Sequence, residues 1–129
     1  MPTQMHHIGI EVSDLARSEA FYVELLGFRK LREHHFVDTD RALVFLELGG
    51  VCVELLGGGE HTPYVEAPGI QCGYKHLALV TEDVDGDVAR VQAAGYTVRL
   101  APTDIPLVNA RIAFVEDPDG IPIELWQNR

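Results

Sequence analysis

HIGIEVSDL at residues 7–15 is echoed by HLALVTEDV at 76–84, and that echo decides the fold. VCVELL at 51–56 returns as IPIELW at 121–126, and Gly27-Phe28 returns as Gly95-Tyr96. His7 to His76 is 69 positions, Glu54 to Glu124 is 70, and Gly27 to Gly95 is 68. Three separate signals with nearly one offset mark a duplicated unit. One copy covers about 1–57 and the other about 70–129. The Gly- and Pro-rich GGEHTPYVEAPG at 58–69 reads as the linker. Together they read as a single domain over 1–129.

Each copy reads strand, helix, then three strands. HHIGIEV alternates, with Ile8, Ile10 and Val12 on one face and His7, Gly9 and Glu11 on the other. Ser13 or Asp14 is placed to cap a helix. Leu15, Ser18, Tyr22 and Leu25 recur at helical spacing, and Gly27 supplies the left-handed ending. Strands follow at about 28–36, 42–48 and 51–56. In the second copy a strand spans about 74–81 and a helix about 83–94, with Val84, Val88 and Val91 on one face. Strands then occupy about 96–100, 110–116 and 121–127. The fold class is α+β, two βαβββ modules with their helices on the outer sheet face and the other face left to curl around a cavity.

The chain has 129 residues, 10 Lys plus Arg against 20 Asp plus Glu, and a net charge of −10. That sign argues against nucleic acid as a partner. No apolar run approaches a bilayer span, and the N-terminus lacks the basic-then-apolar order of a secretory signal. Cys52 and Cys72 are too few for a disulfide scaffold. A cytoplasmic protein without a membrane partner is the expectation.

Strand parity singles out four polar residues. His7 lies opposite Ile8 and Ile10, Glu54 opposite Val53 and Leu55, His76 opposite Leu77 and Leu79, and Glu124 opposite Ile123 and Leu125. If the aliphatic positions pack on the helices, all four point into the concave side. A carboxylate unpaired in such a pocket is costly, and a divalent cation offsets the cost. Mixed imidazole and carboxylate donors suit Zn, Ni, Co, Mn or Fe. His6 shares the Ile8 face and has no expected metal role. His34 and His35 read as surface residues, and His61 as a solvent-exposed linker residue. Cys52 and Trp126 share the faces of Glu54 and Glu124 and are pocket-lining candidates. Asp117-Pro-Asp-Gly120 reads as a turn.

On HHIGIEV, DLARSEAFYVELLGF at 14–28, VCVELL, YKHLAL at 74–79 and FVEDPDGIPIELW at 114–126, the chain resembles the vicinal oxygen chelate superfamily. That superfamily includes glyoxalase I, methylmalonyl-CoA epimerase, extradiol dioxygenases, fosfomycin-resistance enzymes and bleomycin-binding proteins. The resemblance implies two βαβββ modules forming a cupped mixed sheet around a metal. It implies His7, Glu54, His76 and Glu124 as ligands, with Glu54 at the place of the fourth ligand of bacterial-type glyoxalase I. A metal-dependent lyase or isomerase is then expected. It would take a proton from a carbon next to a carbonyl, with Glu54 or Glu124 as base, on a small substrate presenting vicinal oxygens. The alternatives are an epimerase, a ferrous dioxygenase using His7, His76 and Glu124, and a non-enzymatic binding protein. Small members form homodimers, some sharing each site between chains: His7 and Glu54 from one protomer, His76 and Glu124 from its mate. Glutathione-type relatives carry Arg four residues after the first ligand and often Asn four after the second. Here those places hold Glu11 and Gly58, and Glu11 is expected to repel glutathione carboxylates.

Overall fold

A computed structural model describes residues 1–129. The chain divides into two compact units, 1–63 and 64–129. In the first, β1 (Ile8–Glu11) leads to α1 (Leu15–Ala20), then β2 (Arg29–His35), β3 (Ala42–Leu48) and β4 (Val51–Gly57). The sheet order is β1-β4-β3-β2, with β1 parallel to β4 and the other pairs antiparallel. Asp14 is the residue that caps α1, accepting from the Arg17 amide at 3.1 Å. The helix keeps α geometry for six residues and then widens into a π-turn, Phe21–Leu25. Gly27, at φ +80°, ends it. Phe21 and Tyr22 are buried, as are Val44, Leu46, Val53 and Leu55, alternate residues of β3 and β4, the strands that α1 packs against.

The second unit repeats the plan. β5 (Leu77–Val80) leads to α2 (Val84–Ala93), then β6 (Val98–Ile105), β7 (Ala110–Glu116) and β8 (Pro122–Asn128), in the order β5-β8-β7-β6 with β5 parallel to β8. Asp83 caps α2 by accepting from the Gly86 amide at 3.0 Å. Val84, Val88 and Val91 are buried, as are Ala113, Val115, Ile123 and Leu125. This is the glyoxalase-like α+β fold, one βαβββ module per unit.

Three strand ends differ most from the sequence reading. β6 runs on to Ile105 although Pro102 lies inside it. It is an edge strand, so the missing N–H interrupts no inner ladder. β5 begins only at Leu77, and β1 only at Ile8, so His76 and His7 each stand one residue ahead of their strand. No helix is long and apolar enough to cross a membrane.

Candidate metal centre

The two parallel ladders set the geometry. Gly9 lies opposite Glu54 on β1 and β4, and Ala78 opposite Glu124 on β5 and β8. Both neighbours are small, which keeps space open over the carboxylates. A side chain built at Gly9 would meet Glu54 Oε1 at 3.9 Å. In the first unit His7 Nε2 stands 3.7 Å from Glu54 Oε2, and in the second His76 Nε2 stands 2.9 Å from Glu124 Oε2. The same atoms face each other in both units. Glu124 is 8% exposed, and the Glu54 side chain is also mostly covered.

Each pair leans on a phenylalanine that the sequence reading passed over. Phe45 lies across from Glu54 and Phe114 across from Glu124. The ring of Phe45 meets His7 edge-on at 5.4 Å, and Phe114 meets His76 at 4.9 Å. The signal was available: VFLE at 44–47 and AFVE at 113–116 carry the same offset of 69. An edge-on aromatic contact fixes the imidazole plane without using a ring nitrogen.

His6 departs from expectation. Its Nδ1 lies 2.7 Å from Nδ1 of His7, one ring donating and the other accepting, and it also contacts Phe45. Alternation does not govern His6, which lies two residues ahead of β1. The contact orients His7 so that Nε2 faces Glu54. His34 and His35 are exposed. Cys52 is half-buried, and Trp126 donates to Asn128 Oδ1 at 2.9 Å. The Asp117–Gly120 turn is held by Asp117 Oδ1, which accepts from the amides of Asp119 and Ile121.

Glu11 is also not the bare charge expected. Both terminal guanidinium nitrogens of Arg41 donate to it, and His61 Nε2 stands 2.9 Å from it. Arg41 also donates to the Gly58 carbonyl at 2.7 Å. His61 is therefore drawn into this cluster rather than left in solvent, with its side chain 15% exposed. Arg41 and Glu11 form an ion pair, so Glu11 is not an uncompensated charge. The Arg41 hydrogen bond holds the Glu11 carboxyl below the usual range; partial burial opposes this and His61 adds to it. A depressed acid contributes stability above its unfolded pKa, near 4.5, and loses it as pH falls through the folded value. Wild type should therefore exceed Glu11→Gln in chemical denaturation at pH 7, with the gap closing below about pH 4. A gap that persists in acid would refute this.

Neither His–Glu pair gains a third ligating side chain. Within each unit an imidazole beside a carboxylate is a donor pair of the borderline kind that first-row divalent ions accept. Two βαβββ modules, each carrying His and Glu at equivalent positions, define a vicinal oxygen chelate protein. The profile of the Glyoxalase/Bleomycin resistance protein/Dioxygenase superfamily matches residues 4–125, and the chain belongs to that family. It is 34% identical to the uncharacterized protein YaeR of Escherichia coli K12, covering 96% of this chain and 95% of that one. It is 32% identical to a probable lactoylglutathione lyase of Vibrio cholerae, covering 95% and 89%. The trypanothione-dependent glyoxalase I of Leishmania major superposes with a TM-score of 0.77 at 32% identity, over 98% of this chain and 87% of that one.

Proposed function

We propose that this protein is a metal-dependent lyase or isomerase of the glyoxalase I kind. His7, Glu54, His76 and Glu124 hold one divalent transition ion, Zn, Ni, Co, Mn or Fe. The two units work as a single domain in a homodimer, with His7 and Glu54 of one protomer and His76 and Glu124 of its partner completing each site. The observation that carries this is the twofold His–Glu–Phe arrangement on equivalent strands. A bound divalent cation would supply Lewis-acid polarisation of the substrate's vicinal oxygens and offset the negative charge that develops on them. The chain does the rest. Glu54 or Glu124 takes the proton from the carbon bearing oxygen and sulfur, and returns it to the adjacent carbonyl carbon. The hydroxyl proton passes to the former carbonyl oxygen, so a hemithioacetal becomes a 2-hydroxy thioester with no net change in atoms. Phe45 and Phe114 hold the imidazoles and exclude water from one side. The homology to probable lactoylglutathione lyases supports this reaction class.

Protein purified without chelator should carry about one metal ion per site. It should also isomerise the hemithioacetal of methylglyoxal with at least one thiol from a panel including glutathione and 2-mercaptoethanol. Metal-loaded protein inert toward every member would refute the reaction. Protein that takes up no added divalent ion would refute the centre.

A further inference from the structure

Arg32 stands apart from six of the other seven arginines. Arg29, Arg41, Arg90, Arg99, Arg111 and Arg129 all pair with carboxylates. Arg32 has none, although the chain carries a net charge of −10. Its guanidinium lies 4.2 Å above the centroid of Phe45, the ring that His7 meets edge-on. One phenyl ring therefore separates a free guanidinium from a candidate ligand.

The backbone puts it there. Lys30 pairs with Leu46, so regular register would bring Leu31 opposite Phe45. The ladder slips at this point and Arg32 takes that place. A bulge of this kind re-aims a side chain, and bulges are frequent beside active sites. The same slip recurs in the second unit, where Val98 pairs with Val115 and then Leu100 with Phe114. The repeated scaffold thus offers one slot twice, filled by a cation in one unit and an apolar residue in the other. The fold does not need the charge, since Leu100 serves in the same slot.

We infer that Arg32 is a specificity-determining residue of the His7–Glu54 half-site, where it receives a carboxylate carried by the substrate. This rests on the reading of the site given above. Stacking on Phe45 leaves the guanidinium donors free, and their fork matches a carboxylate in two parallel hydrogen bonds. The substrate class is a vicinal-oxygen compound with a further carboxylate, held between the ligand pair and Arg32.

The test uses metal-loaded protein and two hydroxamates, which present vicinal oxygens: acetohydroxamate, and the monohydroxamate of succinic acid, which adds a carboxylate. Binding is read by calorimetry, beside metal content and thermal unfolding. Wild type should favour the carboxylated probe by about tenfold or more. Arg32→Leu should lose that preference while keeping its metal content, its melting temperature and its acetohydroxamate affinity. Arg32→Lys, retaining the charge but not the fork, should keep part of it. A wild type without preference, a preference that survives Arg32→Leu, or equal weakening of both probes would overturn the inference and leave the metal site standing. Protein that binds neither metal nor hydroxamate would overturn the site reading, and this inference with it.

Discussion

Glu124→Gln should lower hemithioacetal isomerase turnover by about two orders of magnitude or more, the usual contribution of a positioned base. The substitution keeps size and shape but removes both the charge and the proton-accepting oxygen. Glu124 is 8% exposed, so little water reaches it to substitute. Its partner His76 stays fixed against Phe114, which isolates the loss to the carboxylate. Metal content should fall as well, because a neutral amide oxygen is a weaker donor to a hard or borderline cation. In metal-free protein the same change should not lower the melting temperature, since a mostly buried carboxylate costs desolvation. Stopped-flow turnover, elemental analysis and calorimetric melting read the three effects. Undiminished turnover in fully loaded Glu124→Gln would move the base to Glu54.

Gly58→Asn should destabilise the protein by at least ~2 kcal/mol. At this chain length that is a fall in melting temperature on the order of 5–10 °C. Gly58 has φ +86°, and a side chain there would start 1.9 Å from the Asp40 carbonyl oxygen and 2.7 Å from its carbon. Those neighbours are backbone, held by the Ala42–Gly57 end of the β3–β4 ladder and by the Gly59 amide donating to Asp40 Oδ2 at 3.0 Å. Neither side can yield without breaking those bonds or the Arg41 contact to Gly58 oxygen. Gly27, at φ +80° but with open space around it, is the internal comparison. Asn there meets only the backbone cost and should lose much less. Equal losses at 27 and 58 would show that crowding at 58 is relieved. The asparagine that glutathione-type relatives often carry at this position thus has no room here, whatever the substrate.

The duplicated unit was legible because its two signals are local: strand alternation and an offset shared by His7, Glu54 and their counterparts. Parity put His7 with Glu54, and His76 with Glu124, on one sheet face, and it holds wherever the residues lie in or beside a ladder. It failed for His6, which precedes β1 and is free of alternation. His61 was misread for a different reason. Its environment is made by Arg41 and Glu11, 20 and 50 positions away, and nothing near His61 in the chain announces them. Arg32 could not be placed by counting, because the bulge shifts every subsequent side chain of β2 by one face. Phe45 and Phe114 looked like ordinary strand filling until the ladders set them across from the carboxylates.

The matching slips in β2 and β6 give the duplicated architecture a particular kind of freedom. Because both halves already bend the edge strand at the same point, whatever stands at 32 or 100 can be exchanged without redrawing either ladder. One edge position in each half can thus carry a charge or a hydrocarbon, Arg32 in the first and Leu100 in the second, on the same backbone plan.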